Sequence, residues 1–209
     1  MRRALAVAAA LSLLAPAAGS ARPVILAAGD SQMQPIYQQL VRTLAWQHRA
    51  RVVYDAHPST GVANPYLFSW VRHARAMAAT VHPRATAVFL GANDGLSPLG
   101  GAPCCTRRWV ARYADRVRRM MRSYRRHGRG HVYWFTVAAR SRHFRRVARG
   151  ADAAIIAAAR HFRGGVTVLD LRPVITPALQ APDGVHLSPA GYRVATRMLL
   201  RAMRRDDVL

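Results

Sequence analysis

The sequence contains no lysine and no glutamate, so arginine supplies its permanent positive charge and aspartate its negative charge. Its 32 arginines and 9 aspartates give 209 residues a formal net charge of +23. Exclusive use of Arg and Asp is typical of a GC-rich genome, so part of this excess reflects codon usage. A surface this basic still attracts polyanions. No recognised nucleic-acid-binding motif is present, and we therefore predict no specific nucleic-acid partner.

Aspartate and asparagine are scarce, which makes their positions informative. Only two of the nine aspartates lie in the C-terminal tail. Of the other seven, Asp30, Asp94 and Asp183 fall in three short polar motifs, and one of the two asparagines, Asn93, lies beside Asp94. Random placement would not favour this concentration.

Cysteine is almost absent, since Cys104 and Cys105 are the only two and are adjacent. Four sulfur ligands are therefore missing, which excludes a four-cysteine structural zinc site. In an oxidising compartment the pair can close a strained vicinal disulfide, or it can remain as two thiols in a surface loop. The histidines outside the motifs show no metal-ligand spacing, so we predict no metal and no cofactor.

The N-terminus combines a basic start at Arg2 and Arg3, an apolar run at residues 4–14 and a small-residue stretch at 15–21. This pattern predicts a secretory signal peptide, residues 1–21, with an uncleaved anchor as the alternative. Losing the two arginines would lower the formal charge from +23 to +21. We expect a secreted or periplasmic monomer of one domain, residues 22–209, with anionic wall polymers or lipid headgroups as possible partners.

Short apolar runs alternate with longer helical patterns along this domain. Such alternation predicts an α/β fold with a parallel sheet covered on both faces. The five predicted strands are 24–28, 52–54, 87–90, 132–135 and 166–169. The five predicted helices are 35–47, 66–79, 107–126, 151–162 and 189–204, the last with Ser188 as N-cap and Pro189 at its first position.

The aromatic and arginine-rich stretches favour structural roles. We predict that the four tryptophans, Trp46, Trp70, Trp109 and Trp134, lie in the core. The arginines between 116 and 129 are most simply a solvated helix face, and a polyanion-binding patch is the alternative. Residues 136–143, after the fourth strand, show no interpretable pattern.

Four polar motifs follow predicted strands, where ligands bind in open parallel sheets. Ser31, in Gly-Asp-Ser, follows the first strand, and Gly61 follows the second. Asn93 follows the third strand in Gly-Ala-Asn-Asp, and an Asp-x-x-His pair, Asp183 and His186, follows the fifth. A hydroxyl, an imidazole and a carboxylate are the components of a serine hydrolase. Each motif alone would indicate only a turn or a loop. The prediction therefore rests on the order of the four motifs and on their location after predicted strands.

These motifs resemble the four blocks of the SGNH (GDSL-type) hydrolases over residues 24 to about 195. The resemblance implies a three-layer α/β/α sandwich with a flavodoxin-like, five-stranded parallel sheet. It also implies Ser31 as nucleophile, His186 as base and Asp183 as its orienting carboxylate. The oxyanion hole would comprise Ser31, Gly61 and Asn93, with Gly61 the weakest match. Gln32 stands where the family's motif has Leu, a departure expected to affect substrate choice.

The function implied is an exported serine esterase that hydrolyses small acyl esters, with O-acetyl groups on carbohydrate favoured. An O-acyltransferase would use the same acyl-enzyme with a sugar hydroxyl as acceptor. A third alternative is a non-catalytic module that binds anionic polymers through the arginine surface, which the intact Ser31, Asp183 and His186 argue against.

Overall fold

The computed structural model describes residues 22–209, so the predicted signal peptide lies outside the described residues. Within that range a single five-stranded parallel sheet has the order β2-β1-β3-β4-β5, the flavodoxin-like arrangement. The strands are β1 Val24–Gly29, β2 Arg51–Ala56, β3 Ala85–Phe89, β4 His131–Phe135 and β5 Val166–Leu169. The predicted α/β class and the parallel sheet are confirmed.

Five α-helices connect or follow the strands in residues 22–209: α1 Met33–Leu40, α2 Trp70–Val81, α3 Arg107–Arg125, α4 Arg142–Ala159 and α5 Pro189–Arg205. A π-helical segment, Val41–Ala45, extends α1. As predicted, the Ser188 hydroxyl caps α5 by accepting from the Gly191 N–H, and Pro189 occupies the first turn. None of the helices in the described part of the chain is long and apolar enough to span a bilayer.

Alternate side chains of each strand enter two separate cores, as a sheet covered on both faces requires. On β1, Ile25 and Ala27 pack with α1 and α5, whereas Leu26 and Ala28 pack with α2, α3 and α4. The three layers are therefore helix, sheet and helix. Because all five strands run parallel, their carboxyl ends share one edge of the sheet.

Two helices begin four or more residues away from their predicted starts. Helix α4 begins at Arg142, nine residues before the predicted start, with the Ser141 hydroxyl accepting from the Phe144 N–H as its N-cap. Its buried stripe includes Val147, Ala148 and Ala151, a helical spacing obscured by the arginines at 142, 145, 146 and 149. Helix α2 begins at Trp70 rather than 66, and the residues before it form turns.

The core prediction is correct for three tryptophans and wrong for Trp46, which is 69% exposed. The buried stripe of this helical stretch runs through Met33, Ile36, Leu40 and Leu44, and Trp46 lies outside that stripe. Cys104 and Cys105 are joined by a disulfide bond.

Candidate active site

Three side chains from opposite ends of the chain form a continuous hydrogen-bonded relay at the carboxyl edge of the sheet. The Ser31 Oγ lies 2.8 Å from His186 Nε2. On the other side of the ring, His186 Nδ1 lies 2.6 Å from Asp183 Oδ2. This is the connectivity of a nucleophile, a base and an orienting carboxylate. The structure therefore brings together all three residues that the sequence motifs selected.

The loop that supplies Asp183 and His186 is a tight turn closed by its own carboxylate. Gly184 has a φ of +71°, a conformation that residues with a Cβ rarely adopt. The turn brings the N–H groups of Val185 and His186 to 2.9 Å from Asp183 Oδ1. Partial burial tends to raise the pKa of Asp183, but the N–H of Val185 and the His186 contacts outweigh it and lower the pKa. The carboxylate that orients the imidazole therefore stays ionised.

Gln32 joins the turn that carries Ser31 to the loop that carries Asp183 and His186. Its Nε2 donates to the Val185 carbonyl at 2.7 Å, and its Oε1 accepts from the Tyr192 hydroxyl at 2.8 Å. The side chain is only 1% exposed, so substrate cannot reach it. The expectation that this departure from the motif affects substrate choice therefore stays a prediction, and any such effect would have to act without direct contact. The two hydrogen bonds of Gln32 tie the turn that carries Ser31 to the loop before His186 and to α5.

Asp30 shapes the turn that presents Ser31 and also holds Asn93. Its Oδ1 accepts from the Gln32 N–H at 2.9 Å, and its Oδ2 accepts from Asn93 Nδ2 at 3.1 Å. The same amide nitrogen donates to the Thr60 carbonyl at 3.1 Å. Both amide hydrogens of Asn93 are therefore engaged in the free protein. An oxyanion would have to share or replace one of these two acceptors.

Gly61 lies where a larger residue would collide with a buried carboxylate. A Cβ at this position would be 2.5 Å from Asp94 Oδ1. That oxygen accepts from the Ala63 N–H at 2.5 Å, and Asp94 Oδ2 accepts from the Tyr113 hydroxyl at 2.6 Å. Asp94 thus holds the loop after β2 through the Ala63 N–H. The close approach of its carboxylate to the backbone at position 61 requires glycine there.

Burial raises the pKa of both inner carboxyls at this edge. Asp30 is fully buried, which raises its pKa to about 7 despite the Gln32 N–H, with Asp94 contributing further. Burial raises the pKa of Asp94 to about 6 against the opposing effects of the Tyr113 hydroxyl and the Ala63 N–H. The two carboxyls behind the candidate oxyanion loops therefore titrate close to neutral pH, unlike Asp183.

A cavity of about 540 Å³ lies beside the catalytic loop. The Arg140 N–H, on its rim, donates to the Gly184 carbonyl at 2.8 Å. Asp152 lies in its wall with Oδ1 accepting from the Val137 N–H, whereas Oδ2 has no hydrogen-bond partner among the described residues. The basic side chains that line the cavity are Arg140, Arg142, Arg145, Arg149 and Arg172.

Asp152 gives the chain a pH-dependent stability that an isosteric substitution should remove. Burial raises its pKa to about 7, although the Val137 N–H and Arg172 oppose this. The unfolded chain releases this proton near pH 4, so between about pH 4 and 7 the folded state binds more protons, and stability falls as pH rises. Between pH 5 and pH 8 the free energy of unfolding of wild type should fall by on the order of 2 kcal/mol relative to that of Asp152→Asn.

Urea denaturation of both proteins at the two pH values measures this difference. Asp207→Asn, an exposed aspartate, is the control for the substitution itself. A constant difference between Asp152→Asn and wild type across this range would contradict the assignment.

Comparisons with known proteins give one family and a set of structures with the same fold. The family described as "Protein of unknown function (DUF459)" matches residues 24–180. No curated protein matches the sequence. Among solved structures, a family 3 carbohydrate esterase from Talaromyces cellulolyticus has a TM-score of 0.68 at 14% identity, covering 88% of this chain and 97% of its own.

Two further structures show the same similarity. An acetyl esterase solved with an acetate ion has a TM-score of 0.68 at 14% identity, covering 90% of this chain and 100% of its own. A putative lipolytic protein of the G-D-S-L family from Desulfitobacterium hafniense has a TM-score of 0.58 at 13% identity, covering 86% of this chain and 99% of its own. The chain thus has the fold of these esterases and lipolytic proteins, and its match over residues 24–180 shows that it belongs to the DUF459 family.

Proposed function

We propose that the protein is a serine esterase of SGNH type that cleaves small acyl esters, O-acetyl esters of carbohydrate above all. The observation that supports this most is the Ser31–His186–Asp183 relay, with links of 2.8 Å and 2.6 Å. The fold shared with a carbohydrate esterase and an acetyl esterase is consistent with it.

In this mechanism Ser31 Oγ attacks the acyl carbonyl while His186 Nε2 takes the hydroxyl proton. Collapse of the tetrahedral intermediate breaks the ester bond, and His186 returns the proton to the departing alcohol. Water then attacks the acyl-enzyme, His186 removes the water's proton, and the carboxylic acid leaves as Ser31 regains its hydrogen. Asp183 holds the imidazole with Nε2 free to accept, and stabilises the imidazolium as it forms.

The oxyanion of each intermediate would accept from the N–H groups of Ser31 and Gly61 and from the Asn93 amide. Asn93 already contacts the Thr60 carbonyl, next to Gly61, so the two loops form one unit in the free protein. We propose that substrate binding replaces the contact between Asn93 and Asp30. The N–H released in this way would meet the charge that develops in the transition state.

The open setting of the relay fits an ester attached to a large molecule. The side chains of His186 and Asp183 are 37% and 47% exposed, so an acyl group on a polymer could reach Ser31 without entering a deep cavity. The arginine-lined cavity beside the catalytic loop would then accommodate an anionic part of the polymer. Export through residues 1–21 would place the enzyme with wall or extracellular carbohydrate.

An assay for ester turnover and acyl transfer tests this function and separates it from its closest alternative. Purified residues 22–209 should release p-nitrophenol from p-nitrophenyl acetate and acetate from acetylated xylan. Adding a carbohydrate acceptor should leave acetate as the main product if water is the acceptor. A switch to acetylated acceptor would identify an O-acyltransferase, and absence of any turnover by the folded protein would contradict both.

We propose, in addition, that the same enzyme is retained on anionic polymers by its arginines. Arg145 and Arg149 are exposed and form no ion pair among the described residues, whereas Arg118 and Arg119 both pair with Asp115. The unpaired arginines should therefore contribute more to polymer binding than the paired ones.

Retention on teichoic acid across a salt series tests this, with Ser31→Ala as the catalytically silenced form. Binding should weaken steeply as salt rises. A double Arg145→Gln, Arg149→Gln variant should elute at lower salt than the matched Arg118→Gln, Arg119→Gln variant. Retention that does not change with salt would contradict electrostatic binding by the arginines. Equal losses in the two variants would contradict the greater contribution of Arg145 and Arg149.

A further inference from the structure

Three potential metal ligands converge beyond the end of β2, outside the catalytic relay. Asp55 lies near the end of that strand, His57 follows in the loop, and His73 lies in the first turn of α2. Asp55 Oδ1 is 3.1 Å from His57 Nε2 and 2.6 Å from His73 Nε2. The three ligand atoms all lie within 4.8 Å of one another. The sequence prediction missed this group because the two histidines are sixteen positions apart in the sequence.

The buried carboxylate at the centre of this group contacts the two imidazoles through Oδ1 but has no permanently charged partner among residues 22–209. Its side chain is 4% exposed, and its Oδ2 has no hydrogen-bond partner among residues 22–209. It forms no ion pair with an arginine in that range, although the chain has 32 of them. A buried acceptor left unsatisfied costs about 1–3 kcal/mol. A cation bound to Asp55 would supply the positively charged partner that no described arginine provides.

We propose that Asp55, His57 and His73 bind a divalent transition-metal ion of the Zn²⁺ class. Two imidazoles and one carboxylate suit such ions, whereas Ca²⁺ and Mg²⁺ prefer sites built from oxygen alone. Bonds of about 2.0–2.2 Å to zinc place neighbouring ligand atoms roughly 3–3.5 Å apart. The observed separations from Asp55 Oδ1 need only small adjustments to reach that range. The histidines would bind through Nε2 with the ring proton on Nδ1.

The surroundings of the group fit a site with three protein ligands and one water. The side chains of His57 and His73 are 37% and 25% exposed, which leaves a solvent-facing side open for a fourth ligand. The inner side is aromatic, with His57 stacked on Phe68 at 4.2 Å between ring centroids and Trp70 edge-on to both imidazoles. An apolar wall on one side orients the rings and limits water access there.

The site is linked to the candidate oxyanion loop through the backbone. The His57 N–H donates to the Gly29 carbonyl at 2.8 Å, and the His57 carbonyl accepts from the Thr60 hydroxyl at 2.6 Å. The Thr60 carbonyl in turn accepts from Asn93. A metal that holds His57 would therefore stabilise the loop from 57 to 61. We expect bound metal to raise the melting temperature.

Calorimetric titration of chelator-treated protein with Zn²⁺, with metal content measured after dialysis, tests the proposal. Wild type should bind one Zn²⁺ per chain and melt at a higher temperature when loaded. His57→Ala and His73→Ala should each weaken binding at least 10-fold and lose that shift. His161→Ala, a histidine outside the group, and His186→Ala, which removes the relay imidazole, should bind as wild type does.

His57→Ala decides the outcome if His73→Ala fails to fold, because the His57 side chain is more exposed. No saturable binding at one equivalent would overturn the proposal. Binding that survives both substitutions, or that disappears in His186→Ala alone, would also overturn it. In those cases the three side chains form only a hydrogen-bonded network.

Discussion

Replacing His186 by alanine is expected to lower kcat for ester hydrolysis by about 10⁵–10⁶-fold, since the base that activates Ser31 is removed. Ser31→Ala should lose as much, and the double variant should lose no more than either single one, because the two residues act as a unit. The fold should persist, since the His186 side chain is 37% exposed and precedes α5. Single-turnover and steady-state rates for the three variants, with circular dichroism as the folding control, measure this.

Asp183→Asn should be less damaging, with a loss of about 10⁴-fold. The substitution leaves the proton acceptor in place and removes only its orienting charge. The N–H groups of Val185 and His186 would still hold the side chain at position 183. If Asp183→Asn proved worse than His186→Ala, the roles assigned to the two residues would be wrong.

Asn93→Ala is expected to lower kcat by about 10²–10³-fold with little change in KM. Its amide would meet charge that exists only in the transition state, so the ground-state complex should be affected little. The variant should also lose stability, because Asp30 Oδ2 would be left buried without its donor. Melting temperatures separate that loss from the catalytic effect.

Asn64→Ala is the matched control, because Asn64 is the other asparagine of the chain and, among residues 22–209, its side chain hydrogen-bonds to the nearby Leu67 N–H alone. It should leave kcat within a few-fold of wild type. A change in Asn93→Ala confined to KM would make Asn93 a residue that binds the ground-state substrate.

The strands and the convergence of the candidate catalytic motifs were predictable because local signals and global topology agree at those positions. Strand β1 is an apolar run ended by Gly29, and Ser31 follows at once. In a parallel sheet every such run ends at the same edge, so strand order was not needed to place Ser31 near His186. The scarcity of aspartate further reduced the number of candidate partners.

What the sequence did not predict depends on contacts between distant segments. Gln32 is a polar residue with an ordinary local pattern, and its function arises only when Val185 and Tyr192 pack against it. Asp55 and His73 likewise meet only because α2 packs beside the end of β2. The start of α4 was missed for a different reason: arginines dilute the apolar spacing there, although Ser141 is a good capping residue.

Covalent labelling with a fluorophosphonate, followed by peptide mass spectrometry, tests the central claim most directly. An activated serine beside a base and an oxyanion hole should react, whereas ordinary serines should not. We expect one adduct per chain on the peptide that contains Ser31, and no labelling of Ser31→Ala or His186→Ala. An adduct on another serine, or no adduct on folded wild-type protein, would contradict the proposed acyl-enzyme mechanism.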